Sequence, residues 1–393
     1  MTLPAAFPGG AASERPDSPA LSRRITVVYM DLSTAWRGGQ RQMLWMAEGL
    51  RRAGGRAIFA LRPRAVLAER ARASGFDIVH VDPTIAELGP WTVMRLRRLI
   101  SRERVDILHP QGGHDLALAA LASLGTNARV VFARRTTFPV RRNLGTRLKY
   151  ARADRIISVS HAGVGALIEA GVDPSRIEVI PSGIPVPREV APASRETLAR
   201  HGVEATHPLV VMVGAITDHK DPITFVRAVA VARRAVPRLR ALLVGEGNRR
   251  EEVEREVRAL GLGEVVRLTG FRSDSESFIA SADVVCLSSA TEGTPGVLLD
   301  ALALGRPIAA TAAGGVSEVV EDGISGLLTP VGDADALGAS IARILLDPSL
   351  AAQLSAAARS RASRFSIDRT VERTIAVYER TLAGDARRCP SSI

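Results

Sequence analysis

The sequence has few aromatic residues, few cysteines and no long apolar run. Aromatic residues make up 4% of its 393 positions, too sparse a set to favour the base-stacking surfaces of nucleic-acid-binding proteins. The two cysteines, Cys286 in an apolar strand and Cys389 near the end of the chain, form no disulfide framework. The longest apolar stretch, residues 116–124, is far shorter than the ~20 residues that a membrane-spanning helix needs. These absences favour a globular protein of a reducing cytoplasm.

The first 22 residues also lack an arrangement that would give them a targeting role. A secretory signal has a basic start followed by an apolar core, and residues 1–22 show neither. Their proline, alanine, glycine and serine content predicts a disordered leader.

Lysine is nearly absent, and positive charge is unevenly placed. Only Lys149 and Lys220 stand among 52 basic residues. A compact ammonium differs from a guanidinium where a point charge must approach phosphate, so the loop around Lys220 is a candidate site. Residues 1–190 hold 28 basic and 16 acidic side chains, a net charge of +12, whereas residues 191–393 hold 24 and 25, a net charge of −1.

The basic first half leaves several partners open. Clustered arginines attract anionic lipid headgroups, an anionic acceptor molecule or nucleic acid. Nucleic acid ranks last, because the arginines lack interleaved aromatic residues. An Arg-rich surface that only faces solvent remains the plain alternative. We expect a cytoplasmic protein that associates peripherally with the inner face of a membrane.

Strand-like and helix-like segments alternate from residue 24 onward, which predicts an α/β fold. The first series of expected strands is 25–30, 57–61, 77–81, 105–109, 130–133, 155–159 and 178–180. A second series, 209–213, 240–244, 265–268, 283–287 and 307–310, follows a connection at residues 181–207. The simplest architecture is two doubly wound, Rossmann-like domains in tandem with a cleft between them.

Each series opens with a strand that runs into a glycine loop. Gly38 and Gly39 stand just before a helix, and Gly214 begins the loop that contains Lys220. Glycine lets the backbone approach a phosphate, and a helix N-terminus offers N–H groups without partners. A third such loop contains Gly245. None of them has the spacing of the dinucleotide or ATP-binding signatures, and ordinary helix-entry turns remain an alternative at this point.

The stretch 292–318, EGTPGVLLDALALGRPIAATAAGGVSE, is the most informative in the chain. Glu292 opens a Gly/Pro turn, and Asp300 follows eight positions later inside an apolar helical run. Two carboxylates beside helix N-terminal N–H groups suit a ligand with hydroxyls at one end and phosphate at the other. A nucleotide sugar is such a ligand.

Several segments together resemble the retaining glycosyltransferases of family 4, which have the two-domain GT-B fold. The resemblance covers about residues 24–385, and its motifs stand in the family's order. The segments that carry it are RGGQRQMLWMAEGLRRAG, ADRIISVSHAGVGALIEAGV, IEVIPSGI, VGAITDHKD, LVGEGN, LTGFRSD and the stretch around 292–318.

The resemblance implies four parts of the chain. Residues 1–22 are the leader, 23–185 an acceptor-binding Rossmann-like domain, and 186–368 a Rossmann-like domain that binds the nucleotide sugar. Residues 369–393 are a C-terminal helix that packs back on the first domain, followed by a tail.

The resemblance also implies the residues of the site. Glu292 would bind hydroxyls of the transferred sugar, Lys220 would contact the diphosphate together with Gly38 and Gly39, and Asp300 would hold the ribose. Backbone N–H groups at the start of the helix would surround the diphosphate, and Arg272 would lie beside the base. The implied donor-binding residues are Gly38, Gly39, Gly214, Lys220, Gly245, Phe271, Arg272, Glu292, Gly293, Thr294, Gly296, Val297 and Asp300.

Three positions depart from the family's pattern. Asp300 is one methylene shorter than the usual Glu, and Ala215 replaces a frequent Arg. Arg134 and Arg135 stand where many members have a histidine at the sugar. We therefore expect Glu292, Lys220 and Arg135 to be the catalytic residues. His109, His114 and Arg134 are candidate contacts to the acceptor or the sugar, although a structural role for either histidine is equally compatible with the sequence.

The implied chemistry is transfer of a sugar from a nucleotide-diphosphate donor, UDP- or GDP-linked, to a cell-envelope glycan or lipid-linked acceptor. It needs no resident cofactor and no metal, and the single Asp-x-Asp pair, Asp333 and Asp335, is typical of a helix N-cap. Two alternatives stay open: a weakly active or inactive nucleotide-sugar-binding protein, and a sugar-nucleotide epimerase of the same fold.

Overall fold

The computed structural model describes residues 21–81, 89–140 and 143–384. Most of the expected leader (1–20) and the end of the tail (385–393), which includes Cys389, lie outside the described residues. The last two leader positions are described and make contacts. Leu21 N–H donates to the carbonyl of Ala53 at 3.3 Å, and the Ser22 backbone N–H and hydroxyl donate to Glu379 Oε1 at 3.0 and 2.8 Å.

The first sheet contains only parallel strand pairs. Its strands are β1 (Thr26–Asp31), β2 (Arg56–Leu61), β3 (Asp77–His80), β4 (Ile107–Pro110), β5 (Arg129–Arg134), β6 (Arg155–Ser158) and β7 (Ile177–Val179). Their order is β3-β2-β1-β4-β5-β6-β7. Five of the six residues of β1 are buried, which explains its near-continuous apolar sequence, because helices cover both faces of a parallel sheet.

The second sheet repeats this arrangement. Its strands are β8 (Leu209–Val213), β9 (Arg240–Val244), β10 (Val266–Gly270), β11 (Val284–Leu287), β12 (Ile308–Thr311) and β13 (Leu327–Thr329). They are ordered β10-β9-β8-β11-β12-β13 and pair in parallel. The prediction of two Rossmann-like domains is confirmed. The sequence analysis missed β13, a strand of three residues that is too short to show a period.

The helices cover the two sheets. They are α1 (Gly38–Arg52), α2 (Val66–Ala73), α3 (Pro90–Glu103), α4 (Gly113–Ala122), α5 (Leu144–Ala151), α6 (Val164–Glu169), α7 (Arg195–Ala199), α8 (Pro222–Ala235), α9 (Arg250–Ala259), α10 (Ser275–Ser281), α11 (Gly296–Ala303), α12 (Val316–Val319), α13 (Ala334–Leu346), α14 (Pro348–Ala362) and α15 (Ile367–Leu382). Asp333 caps α13, since its side chain accepts the Ala336 N–H at 2.8 Å. Among the described residues, no helix is long and apolar enough to span a membrane.

The last helix, α15, crosses back to the first sheet. Two backbone hydrogen bonds join the connection to the start of α15. Ile184 N–H donates to the carbonyl of Phe365, and Ile367 N–H donates to the carbonyl of Ile184, both at 2.8 Å. Farther along, α15 packs on α1 and β5. The packing on α1 is close: a Cβ added to Gly49 would lie 2.4 Å from Val371 Cγ2.

Candidate functional site

Two helices from different domains begin beside each other in the cleft. The 15-residue helix α1 starts at Gly38, and α11 starts at Gly296 after Pro295. A Cβ added to Gly296 would lie 3.4 Å from Arg41 Nη2 in the first turns of α1. The first N–H groups of a helix have no intrahelical partner and carry partial positive charge. Through Arg41, the first turns of the two helices are thus in contact across the cleft.

Lys220 and Glu292 meet beside the start of α11. Lys220 ends a short 3-10 helix, Asp218–Lys220, and its Nζ lies 2.5 Å from Glu292 Oε1. The same oxygen accepts the Ser289 hydroxyl at 2.6 Å. Both charged side chains are largely but not fully covered, with exposures of 18% and 10%. Two of the three residues that we expect to be catalytic are thus direct neighbours, 72 positions apart in the chain.

Gly214 and Gly245 allow two loops of the second domain to touch. Gly245 has a φ of +152°, and a Cβ there would lie 1.9 Å from the Gly214 carbonyl oxygen. Gly214 N–H in turn donates to Val244 O at 3.0 Å. The stem of Lys220 lies over Gly214, since a Cβ on that glycine would be 3.7 Å from Lys220 Cδ. Both glycines therefore act by holding the Lys220 loop in place.

The loop after β11 contacts the first domain directly. A Cβ added to Gly293 would lie 2.9 Å from the Arg135 carbonyl oxygen. Thr294 donates its hydroxyl to Val159 O at 2.6 Å, and the hydroxyls of Thr137 and Thr291 lie 2.7 Å apart. The chain around Glu292 is therefore clamped between the two domains.

Glu318, in α12, makes a further bridge between the domains. Its two carboxylate oxygens accept the His161 and Ala162 backbone N–H groups at 2.9 and 3.1 Å. A carboxylate at the start of a helical turn satisfies N–H groups that the turn leaves free. The sequence analysis assigned Glu318 no partner.

Arg135 places a positive charge beneath the start of α1. A Cβ added to Gly39 would lie 3.5 Å from Arg135 Cδ. The guanidinium donates to Gln111 Oε1 at 2.9 Å and to the Ser182 hydroxyl at 3.2 Å. Burial lowers the pKa of Arg135 to about 10, against the attraction of Asp31. The group is still cationic at neutral pH, so it adds to the anion-attracting character of Gly38 and Gly39.

Arg134 does not face the cleft, contrary to the expectation that it contacts the acceptor or sugar. Its side chain is buried and donates to carbonyls of its own loop, to Thr136 O at 2.9 Å and to Phe138 O. It also lies 3.4 Å from the hydroxyl of Tyr150. Its donors are used to shape the loop that follows β5, which makes it a structural residue.

His109 is a second correction. It is 2% exposed, and its Nδ1 lies 2.8 Å from the Tyr378 hydroxyl of α15. Tyr29 packs against the same ring, with centroids 5.2 Å apart. Burial lowers the pKa of His109 to about 3. The residue is a neutral core histidine that ties α15 to β4, and it has no surface to offer a ligand.

His114 lies at the mouth of a cavity in the first domain. It is exposed in the first turn of α4, and the cavity of about 240 Å³ is also lined by Asp31, Arg62 and Asp115. Asp115 accepts the Gly112 and Leu32 N–H groups at 2.8 and 3.2 Å. Burial raises the pKa of Asp115 to about 7, and the nearby Asp31 adds to the shift. In the described structure the Arg62 Nε is buried without a partner.

Asp300 has partners other than those expected of a ribose ligand. Its side chain is 4% exposed, and Arg41 Nη2 and Arg188 Nη1 lie 2.7 and 3.3 Å from its two oxygens. The same two arginines also pair with Glu276 of α10. Trp45 lies beside both guanidinium groups, whose carbons are 4.9 and 5.9 Å from its ring centroid. We call Arg41, Arg188, Glu276 and Asp300 the ion quartet.

The two arginines offset the burial of the Asp300 carboxylate. Burial raises the pKa of Asp300, while the positive charges of Arg41 and Arg188 act in the opposite direction. An isolated buried carboxylate is costly, so it requires such partners. The sequence analysis missed Arg41, Arg188 and Glu276. The only local signal was that Arg41 directly follows the Gly38–Gly39–Gln40 start of α1.

Phe271 and Arg272 lie at the edge of the second domain. Phe271 is 62% exposed. Arg272 makes two contacts of 2.8 Å with Asp274, and its guanidinium carbon lies 5.2 Å from the Phe278 ring centroid. A position beside a nucleobase stays a prediction for both. Among the described residues, no three His, Cys, Asp or Glu side chains are grouped to hold a metal ion.

Comparison with known families places one match in each half of the chain. The family described as Glycosyltransferase Family 4 matches residues 36–188, and the family described as Glycosyl transferases group 1 matches residues 194–361. Among curated proteins, the D-inositol 3-phosphate glycosyltransferase of Salinispora tropica is 30% identical over 80% of this chain and 66% of its own length. The enzyme of that name from Kribbella flavida is 30% identical over 80% of this chain and 74% of its own length. The one from Actinosynnema mirum is 32% identical over 77% of this chain and 72% of its own length.

Solved structures share the fold at lower identity. Anabaena Alr3699/HepE in complex with UDP-glucose superposes with a TM-score of 0.80 at 23% identity, over 92% of this chain and all of that one. Sucrose-phosphate synthase from Thermosynechococcus elongatus superposes with a TM-score of 0.77 at 20% identity, over 92% of this chain and all of that one. These similarities concern the complete two-domain architecture.

Proposed function

This chain belongs to the group 1 glycosyltransferases, and from that premise we propose that it transfers a sugar, with retained anomeric configuration, from a nucleotide-diphosphate donor to a hydroxyl acceptor. The observation that carries the proposal is the Lys220–Glu292 contact of 2.5 Å, with Glu292 four positions before the start of α11 at Gly296. A cation, a carboxylate and free helix N–H groups are the elements that a diphosphate-linked sugar requires.

The chemical task is to stabilise negative charge on the leaving diphosphate. Lys220 and the N–H groups at Gly38, Gly39, Gly296 and Val297 supply fixed positive potential where that charge develops. As the bond from the anomeric carbon to the phosphate oxygen breaks, the acceptor hydroxyl attacks on the same face. Its proton passes to the leaving phosphate oxygen.

The proposed arrangement exchanges one Lys220 partner for another. Without a donor, Glu292 neutralises Lys220; with a donor, the diphosphate takes the lysine, and Glu292 turns to the sugar hydroxyls. Ser289, which donates to the same Glu292 oxygen, keeps the carboxylate oriented during the exchange. Arg135 beneath Gly39 adds a second cation to the diphosphate side.

We assign UDP as the donor's nucleotide. The support is that structural neighbours of the same fold were solved with UDP and with UDP-glucose. The proposal needs no resident cofactor or metal, because Lys220 and the helix N-termini supply the positive charge. Asp300 is assigned to the ion quartet and not to the ribose.

The acceptor belongs to the basic first domain. The cavity beside Asp31, Arg62 and His114 opens in that domain, and an acceptor hydroxyl there would reach the sugar across the cleft. We favour a cell-envelope glycan or lipid-linked acceptor handled at the inner face of a membrane, by a cytoplasmic enzyme. The relatives are named for D-inositol 3-phosphate. This soluble compound should therefore be tested as an acceptor alongside the lipid-linked one.

The test begins with thermal stabilisation by UDP, GDP, ADP, UDP-sugars and NAD. A ligand at ~100 times its dissociation constant adds about 2.7 kcal/mol to the free energy of unfolding, a shift of several degrees. We expect a response to UDP and UDP-sugars that Lys220→Gln loses. A response to NAD alone, or to none, contradicts the proposal.

Product analysis then separates the alternatives. Transfer of labelled sugar to an envelope extract or to D-inositol 3-phosphate establishes the transferase and its acceptor. Stabilisation by UDP-sugars without hydrolysis or transfer indicates a binding protein. Conversion of the sugar nucleotide to an epimer without an acceptor indicates the epimerase.

A further inference from the structure

Three helices of the first domain form one layer and start at the same edge of the sheet. In chain order, α3 leads from the edge strand β3 across the sheet to β4, α4 leads from β4 to β5, and α5 leads from β5 to β6. α3 packs on α4, and α4 packs on α5. A helix that follows a parallel strand begins at the strand's carboxyl end, which is also the edge where ligands bind. The first turns of these helices therefore lie along the cleft side of the domain.

Large apolar side chains are exposed in those first turns. Trp91 and Met94 of α3 are 75% and 42% exposed, and Leu144 and Leu148 of α5 are 71% and 59% exposed. Leu144 and Leu148 are four positions apart, so they stand on the same helix face. Single exposed leucines are ordinary, but a group of large apolar residues at one edge indicates an interaction surface.

The surroundings of these residues are cationic. Arg95, Arg98, Arg147 and Arg152 are exposed. In the described part of the chain, none of these four side chains forms an ion pair or hydrogen bond. Helix α5 has no acidic residue, and α3 has four arginines against one glutamate. The arginines are therefore free to meet an anionic partner.

We propose that Trp91, Met94, Leu144 and Leu148, with these four arginines, are a docking face for an anionic lipid bilayer. Apolar side chains enter the boundary between headgroups and acyl chains, and basic side chains remain at the phosphates. The charge of the first half of the sequence, +12 over residues 1–190, complements such a surface. A protein partner would need a matching acidic and apolar patch, whereas a bilayer presents both chemistries everywhere.

The docking face borders the cavity that we assign to the acceptor. Lys149 of α5 donates to the carbonyl of Gly113 at 3.3 Å, and Gly113 lines that cavity with His114. A bilayer against α5 would bring the polar end of a membrane-anchored acceptor to the cavity mouth. This step, unlike the docking itself, rests on the proposed function, and it makes the substrate class a lipid-linked acceptor.

The experiment is sedimentation of the full chain with vesicles of phosphatidylcholine alone, and of phosphatidylcholine mixed with phosphatidylglycerol, at low and high salt. We expect binding only to the anionic vesicles and weakening with salt. Leu144→Ser with Leu148→Ser is expected to lower the partition coefficient at least about tenfold. Arg147→Glu with Arg152→Glu is expected to abolish binding at low salt.

The control makes the same two kinds of change, one of each, on the second domain. Leu346 is 61% exposed, and Arg234 is also exposed. Leu346→Ser with Arg234→Glu therefore shows whether losing an exposed leucine and an exposed arginine elsewhere on the surface also weakens vesicle binding. It is expected to bind as the unchanged protein does. Thermal response to UDP, measured on every variant, reports separately on folding and on the donor site.

Two results would overturn the docking face. One is that the unchanged protein does not sediment with anionic vesicles, or that the α5 variants and the control sediment equally. The other is that light scattering shows a dimer that the leucine changes dissociate, because the face would then be covered by a second copy. Either result leaves the UDP response, and hence the proposed transferase, to stand or fall by itself.

Discussion

Arg41 Nη2 lies 2.7 Å from Asp300 Oδ2 across the cleft between the two domains. Arg41 also reaches Glu276, and Arg188 pairs with both carboxylates. Arg41 of the first domain and Arg188 of the connection thus each pair with two carboxylates of the second domain. Because Arg41 follows Gly38 by three positions and Asp300 follows Gly296 by four, the ion quartet fixes the two helix N-termini of the proposed donor site relative to each other.

Removing one member of the ion quartet is expected to lower the free energy of unfolding, because it leaves a buried charge without a partner. Arg41→Ala leaves Asp300 buried with a single cation, and a broken buried pair costs about 3 kcal/mol. Arg41→Ala with Asp300→Ala should cost less than the sum of the two single changes. We expect a coupling energy of at least about 1 kcal/mol from urea unfolding of the four proteins.

A surface pair provides the control for this cycle. Arg227 and Glu256 lie 2.7 Å apart, but the arginine is 57% exposed, so their coupling energy should stay within about 0–1 kcal/mol. Equal coupling in both cycles would contradict an interdomain role for the ion quartet. A donor dissociation constant that rises with Asp300→Asn but not with Arg41→Ala would return Asp300 to the ribose.

The outcome for Asp300 illustrates what a sequence can predict. The apolar strands are local patterns, and both sheets follow from them. The roles of Lys220 and Glu292 came from the resemblance, and their direct contact was not predicted. Arg41 and Asp300 are 259 positions apart, and nothing in the spacing around either indicates the other. The resemblance assigns Asp300 to a ribose because it compares positions, and that assignment stays a prediction, whereas the two arginine contacts are visible only in the structure.

For the same reason, the sequence left two roles open for His109. Its position at the end of β4, before a Gln-Gly-Gly loop, is compatible with both a ligand contact and a core residue. Its orientation is decided by Tyr378, which α15 brings back from 269 positions away. The parts of the site that could not be predicted are those made by long-range pairs.

Gly245 and Gly38 should respond differently to the same substitution. A Cβ at Gly245 would lie 1.9 Å from Gly214 O, at a φ that side chains rarely adopt. Gly245→Ala is therefore expected to lower stability by more than about 2 kcal/mol and to displace the Lys220 loop. Gly38→Ala meets nothing within 4 Å and should leave thermal stability nearly unchanged. Similar melting temperatures for both variants would show that the two loops are not packed as described.

The acid sensitivity of the protein should depend on His109. Its pKa is about 3 in the folded state and about 6.5 in the unfolded chain. Above pH 6.5 the histidine is neutral in both states, and its burial has no pH-dependent cost. As the pH falls from 6.5 towards 3, only the unfolded chain binds the proton, so the free energy of unfolding decreases by up to about 1.4 kcal/mol per pH unit. His109→Gln should unfold more easily at pH 7 but lose less stability on acidification. His161→Gln, at an exposed histidine, should keep the original pH dependence; an unchanged slope in His109→Gln would contradict the buried, neutral state.

The scarcity of lysine permits a direct test of the donor site. Reductive methylation with carbon-13 keeps the positive charge and gives separate NMR signals for Lys149 and Lys220, the only lysines. UDP should shift the Lys220 signal, because the diphosphate replaces Glu292 beside the ammonium, and should leave that of Lys149 unmoved. Lys220→Gln should lower kcat about 10²–10³-fold, while Lys220→Arg assigns the signal and retains part of the activity. If UDP stabilises the protein but moves neither signal, the nucleotide binds away from the Lys220–Glu292 pair, and the two helix N-termini beside it are not the diphosphate site.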